Sequence, residues 1–141
     1  MGNRSKLEPV KVVVRYADGR LMKGYTDGFF PEKDMFHVRP ADSALQEIGV
    51  EVSVKELKAV FLVKDFLGSQ AYREKKHFIE PEQPPGRKVE VTFMDDNEVL
   101  VGSTMDYDPQ RPGFFVTPAD PQSNNLRVFV VAASMSKFRF L

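Results

Sequence analysis

Residues 24–63 set the terms for this chain, because most of their pattern returns near its C-terminus. Sliding the sequence along itself until Gly24 meets Gly102 also brings Thr26 onto Thr104 and Pro31 onto Pro109. Phe36 and Val38 then meet Phe114 and Val116, Pro40-Ala41-Asp42 meets Pro118-Ala119-Asp120, and Val50 and Val52 land on Val128 and Val130. The register runs to the C-terminus without a gap. A chain that repeats itself in this way is expected to fold as two related units, each using the same positions to build its core.

The 141 residues suit one ordinary domain or two very small ones. A unit of about 60 residues buries only about 60% of the surface of its unfolded chain, so two such halves should gain from packing on each other. A hydrophobic content of 42% supplies enough apolar surface for a core. Twenty basic and twenty acidic residues cancel, so no global field draws in nucleic acid or anionic lipid. The absence of cysteine removes disulfides, thiolate metal sites and cysteine nucleophiles together, and it fits a cytoplasmic location. The polar start, Met1-Gly2-Asn3-Arg4-Ser5-Lys6, is not a signal peptide, and no apolar run approaches the ~18 residues of a membrane helix.

Residues 1–9 read as a flexible tail. Residues 10–64 form the first unit. Residues 10–17 alternate, with Val12, Val14 and Tyr16 on one face, which predicts a strand. Asp18-Gly19 is a hairpin turn signal. Residues 20–30 are then the return strand, bent at Gly24, because a glycine inside a strand marks a bend or a close backbone approach. Residues 35–39 and 50–54 predict strands three and four. Residues 44–47 could make one helical turn between them. Lys55-Glu56-Leu57 reads as a tight turn, and residues 58–63 as strand five. Residues 65–87 have no counterpart in the other half and read as a linker. Residues 70–76 have the composition of a short helix, and three prolines and a glycine in residues 81–86 predict an extended connector. Residues 88–141 repeat the strand pattern, with strands expected at 88–93, 99–107, 113–117, 127–133 and 137–141. Their first hairpin tip, Asp95-Asp96-Asn97-Glu98, is one residue longer than Asp18-Gly19-Arg20.

Five short strands, a glycine bend in the second and a tight turn before the fifth resemble the Sm-like and SH3-like small barrels. Gly102 with Tyr107-Asp108, and Gly24 with Phe29, carry the likeness in strand two, although Phe30 stands where the Sm pattern has Asp. The chain as a whole also resembles an uncharacterised bacterial tandem-repeat domain family. Its marking segments are Glu56-Leu57-Lys58-Ala59-Val60-Phe61, Tyr107-Asp108-Pro109, Gly113-Phe114-Phe115, Pro118-Ala119-Asp120-Pro121 and Ser123-Asn124-Asn125. The resemblance implies an all-β fold of two tandem five-stranded Sm/SH3-like barrels packed together. It implies no activity. Sm-like proteins that hold RNA use an Asn after the aromatic-Asp pair and an Arg-Gly pair before the last strand. Neither is found near Asp34-Met35, Pro112-Gly113, Glu56-Leu57 or Ser134-Met135.

No residues assemble into a catalytic pattern: there is no glycine-rich phosphate loop, zincin motif or nucleophile elbow, and Ser134 and Ser136 lack a recognisable base. No cofactor and no metal site is expected. His37 and His77 are the only histidines, one in a strand and one in the linker. Asp95-Asp96 is explained by turn chemistry, and Asp42 and Asp120 by local side-chain-to-backbone bonds. Tyr72, Arg73, Lys75 and Lys76 form the most basic and aromatic stretch, a candidate ligand strip for phosphate. A cyclic-dinucleotide sensor of the PilZ type would need an Arg-x-x-x-Arg motif, which Arg15 and Arg20 do not match in spacing.

One asymmetry between the copies bears on assembly. Strand five of the first copy is apolar on both faces, with Ala59, Phe61 and Val63 outward, whereas the second copy has Lys137 and Arg139 there. Strand four is reversed, with Glu51 and Ser53 outward in the first copy and Phe129 and Val131 in the second. A strand apolar on both faces is covered on both. Strand five of the first unit is therefore expected against strand four of the second, with Phe61, Val63, Phe129 and Val131 sealing the contact. The competing arrangement covers these faces with Leu67, Tyr72 and Phe78 of the linker. The function expected from these features is a non-catalytic binding or scaffolding module acting through protein–protein contacts, with a homodimer as one outcome. Single-stranded nucleic-acid binding of the Sm type and cyclic-dinucleotide sensing are the rival readings.

Overall fold

The computed structural model describes residues 9–27, 33–41, 49–68, 72–78 and 85–141. Ten strands account for most of them. In the first half these are β1 (Val10–Tyr16), β2 (Leu21–Thr26), β3 (Met35–Pro40), β4 (Val50–Ser53) and β5 (Leu57–Val63). In the second half they are β6 (Arg87–Phe93), β7 (Val99–Thr104), β8 (Gly113–Pro118), β9 (Asn125–Val131) and β10 (Met135–Phe140). Short 3-10 turns, Val54–Glu56 and Ala132–Ser134, precede the last strand of each half. Among the described residues no helix is long and apolar enough to cross a membrane.

All ten strands belong to one sheet in the order β10-β6-β7-β8-β9-β5-β1-β2-β3-β4, and every pairing is antiparallel. The expectation of two closed five-stranded barrels is corrected here: the sheet is continuous and not closed. The reason lies at β5. One of its edges bonds to β1, and the other bonds to β9 of the second half instead of returning to β4. Within each run of five the order is nevertheless the same, the last strand followed by the first four.

Each of the two strand glycines lies at a close backbone approach. Gly24 pairs with Pro40, and a Cβ on it would lie 2.4 Å from the Arg39 carbonyl oxygen. Gly102 pairs with Pro118, and a Cβ there would lie 2.1 Å from the Thr117 carbonyl oxygen. Any side chain at either site would push the following strand away, so the strands approach this closely only because both are glycine.

The sheet carries two apolar cores. One gathers Val12, Val14, Phe36, Val38, Val52, Val54, Leu57 and Val60 with Phe129 and Val131. The other gathers Val89, Val91, Phe93, Leu100, Phe114, Val116, Val128 and Val130 with Ala59, Phe61 and Val63. Neighbouring residues of β5 and β9 go to different cores because side chains along a strand alternate between its faces. The two cores therefore lie on opposite sides of the sheet where the halves meet.

Local departures from expectation have local causes. β7 stops at Thr104 and not at Tyr107, because the Asp106 carboxylate accepts bonds from Thr104 Oγ1 (3.1 Å) and the Phe115 amide (3.0 Å), which turns the chain away. β2 ends at Thr26, and residues 28–30 of the expected longer strand lie outside the described residues. The helix expected at 70–76 is not formed in its described part: residues 72–76 are irregular, and the Lys75 amide bonds to Asp120 instead of to a carbonyl one turn back. Residues 1–8, the turn expected at 44–47 and Asp42 lie outside the described residues.

Candidate interaction edges and the connector cleft

The joint between the halves is a reciprocal exchange. β5 and β9 pair with Ala59 opposite Val130, Val60 opposite Phe129 and Phe61 opposite Val128. Ala59, Phe61 and Val63 of the first half lie in the core of the second, while Phe129 and Val131 of the second lie in the core of the first. Phe61 is 8% exposed and Phe129 fully buried. Burying one such ring contributes roughly 1.5–3 kcal/mol. Of the linker residues, Leu67 is 81% exposed and Tyr72 39%, whereas Phe66 packs against the core that holds Phe61 and Val63.

Lys58 stands in the same strand and escaped the sequence reading. Its side chain is 2% exposed, yet its ammonium lies 3.1 Å from Asp95, 3.3 Å from Asp96 and 3.2 Å from Glu98, and 4.7 Å from the Phe93 ring centroid. Burial opposes the Lys58 charge, but hydrogen bonds to Asp95 and Glu98 outweigh it and hold the pKa above the ordinary lysine value. The Glu98 amide leads the causes that hold Asp96 below the usual aspartate range, and Lys58 adds to it. The hairpin tip Asp95-Asp96-Asn97-Glu98 thus does more than turn the chain: it reaches across to the first half and neutralises a buried cation. The available signals were a lone lysine inside an apolar strand and three carboxylates crowded into one turn.

Ser134 extends this junction. Its hydroxyl donates to the Lys58 carbonyl (2.9 Å) and the Val131 carbonyl (2.7 Å), and its own carbonyl accepts from Met94 (2.9 Å). These are the bonds of a structural serine. His37 lies exposed on β3, and His77 lies exposed in the connector. Among the described residues no three His, Asp or Glu side chains converge on a point where a metal could sit.

The candidate ligand strip lies against the loop between β8 and β9. Asp120, only 1% exposed, accepts bonds from the Tyr72 hydroxyl, the Lys75 amide (2.8 Å) and, locally, the Gln122 amide (2.9 Å). Burial works against this carboxylate, but those donors hold its pKa below the usual value, while the bond to Asp120 pushes the Tyr72 hydroxyl up to about 12. Ser123 Oγ donates to Glu74 at 2.5 Å, and Lys76 pairs with the same carboxylate at 3.3 Å. Asn124 holds both the amide and the carbonyl of Asp65 with its side-chain amide (3.2 and 2.8 Å). Together they frame an open cleft of about 420 Å³ beside Lys64, Asp65 and Gln122. Tyr72 and Lys75 are thus used to fasten the connector, and Arg73 remains exposed. The marking segments Pro118-Ala119-Asp120-Pro121 and Ser123-Asn124-Asn125 are the receiving side of this fastening, and Asp120 holds the connector in addition to the local backbone bond expected of it.

The two ends of the sheet differ from its middle. β10 pairs with β6 on one side, and β4 with β3; neither has a second neighbour among the described residues. Beside β10 sits an aromatic cluster. Tyr107 stacks on Phe138 (centroids 4.6 Å apart), meets Phe114 and Phe140 edge-on, and the Arg87 guanidinium lies 3.6 Å over Phe140. Phe140 is 37% exposed and Leu141 55%.

A continuous antiparallel sheet with two cores, whose end strands have no second neighbour among the described residues, defines an all-β protein. The chain belongs to a family of unknown function, DUF6982, whose model matches residues 8–141. No curated protein and no solved structure matches the chain.

Proposed function

We propose that this protein is a non-catalytic binding or scaffolding module that works through protein–protein contacts, offering the outer edge of β10 to an extended segment of a different protein. An edge strand offers a row of backbone donors and acceptors, and the side chains beside it provide specificity. The observation that carries the reading is the position of β10: it ends the sheet, and Phe140 and Leu141 present apolar surface near Lys137 and Arg139, the latter paired with Glu90. On this reading the two runs of five strands descend from one Sm/SH3-like barrel unit that was duplicated and opened at the joint. The shared strand order and the recurring environment of Gly24 and Gly102 support that descent.

The test is site-specific photo-crosslinking in cells. A photoreactive residue at Ser136 should capture a discrete protein partner, whereas the same residue at Arg20, in an exposed hairpin tip, should not. Equal capture at both positions, or capture of nucleic acid in place of protein at Ser136, would refute the reading.

A further inference from the structure

The inner joint and the outer edges obey one register, and this decides which strands the outer edges can accept. Moved by the offset of the sequence repeat, the β5–β9 pairing would set β10 of one molecule against β4 of another, with Lys137 opposite Val52, Phe138 opposite Glu51 and Arg139 opposite Val50. The backbone geometry of such a joint is already realised once inside the chain. Its side chains are not.

Lys137 would take the place of Ala59, which is fully buried, and Arg139 that of Phe61. Glu51 would take the place of Phe129, fully buried, and Ser53 that of Val131, at 2% exposed. Each of these side chains would have to enter the apolar core of the neighbouring molecule. The charges could not neutralise one another there, because Lys137 and Glu51 would face opposite sides of the sheet, as Ala59 and Phe129 do. Arg139 would bring its ion pair with Glu90 (2.6 Å) into apolar surroundings, and Lys137 and Glu51 would each enter a different core; burying charge in this way is strongly unfavourable.

Two registers that would pair β10 with a second β10 are also disfavoured. A two-fold axis centred on Phe138 sets Lys137 against Arg139, and one centred on Lys137 sets it against itself; like charges directly opposite are repulsive. Slipping the β4–β10 register by one residue brings Glu51 opposite Lys137 or Arg139, depending on direction, but turns the side chains of one strand to the other face, away from the arrangement of the inner joint. The charges at the ends are thus a guard of the kind that edge strands carry against uncontrolled pairing.

We infer that Glu51, Ser53, Lys137 and Arg139 close the two outer edges to further copies of this chain, so that a joint made once within the molecule is not repeated between molecules. The inference stands whether or not a foreign partner binds β10. It disfavours a homodimer made by repeating the inner joint between β4 and β10, and it leaves β10 selective for a strand of other composition.

Two variants test it. K137A/R139F opens the β10 edge, and E51F/S53V opens the β4 edge, each by copying the residues of the inner joint. Mass measured by size-exclusion chromatography with light scattering on each variant alone sets the baseline for mixing. A one-to-one mixture should form a species of twice the mass, and a variant carrying all four changes should form larger assemblies. Circular dichroism of each variant before mixing confirms that it is folded. If Arg139→Phe disturbs folding, Lys137→Ala mixed with Glu51→Val should give the same doubling at higher concentration. Folded variants that stay monomeric on mixing would overturn the inference. So would a wild-type protein that already assembles through β4 and β10, detected by crosslinks between cysteines placed at 52 and 137.

Discussion

β5 and β10 hold the same place in their halves, each following a 3-10 turn and each pairing with the first strand of its own run. Yet six of the seven β5 residues are buried and the other is half-buried, while β10 has four exposed residues and two half-buried ones. The backbone is not the cause. β5 has β9 on its second edge, and β10 has no second neighbour among the described residues. Where a strand has neighbours on both sides, both faces can serve a core, and apolar residues are tolerated on each. Where it ends a sheet, the same pattern would invite aggregation, and Lys137 and Arg139 stand in place of Ala59 and Phe61. The comparison shows that a strand's composition records its neighbours as much as its own conformation.

The sharpest way to break this comparison is Phe129→Asp. Removing a buried Phe costs ~3–5 kcal/mol before the buried charge is counted. The substitution should therefore unfold the chain or lower its urea midpoint severely. Next in size are the bends. Gly102→Ala should destabilise by about 1–3 kcal/mol as the new methyl group collides with the Thr117 carbonyl. Gly24→Ala should be somewhat milder, since its nearest contact is 2.4 Å against 2.1 Å. Thermal melts of the two variants side by side check that order. At the sheet end, Phe138→Ala loses a half-buried ring and should cost less than the roughly 1.5–3 kcal/mol of a fully buried one. Its loss should also expose Tyr107, readable as a change in tyrosine fluorescence.

The fastening of the connector gives a smaller, pH-dependent effect. The folded-state pKa of Asp120 is lowered, so its contribution is present above the ordinary aspartate value of 3.8 and is lost as pH falls below it towards the lower folded value. Asp120→Asn should lower the melting temperature at neutral pH and flatten its decline on the acid side. Parallel acid limbs for the two proteins would show that the connector is held by other means. Least of all, Glu51→Ala at the exposed end of the sheet should change stability by no more than about 0.5 kcal/mol. A loss as large as that of Phe129→Asp would mean that β4 is covered after all.

Much of the strand layout was legible in the sequence, because alternation, turn residues and the internal repeat report local geometry. Val12 and Val14, and Val89 and Val91, were identifiable as inward residues from alternation, while Phe36 and Phe114 stood out only as equivalent positions; all six are buried. The residues at the joint were legible for a different reason: Phe61, Val63, Phe129 and Val131 broke the alternation that a one-sided strand would show. The Lys58 cluster and the Asp120 fastening were not legible. Each joins residues about 40 to 50 positions apart through single side chains, and no periodic pattern marks such a bond.

The sequence by itself determined which stretches are strands, where they bend and which side of each is apolar, since these follow from the residues' own stereochemistry and the two-residue period of extended chain. Only the tertiary structure decided that the sheet stays open and passes from one half into the other. Closure depends on which of two edges, β4 or β9, meets the free side of β5, and strand period alone does not choose between them. That choice turns on whether the apolar side chains of β5 and β9 find a core to enter on the far side, and here each half supplies one to the other.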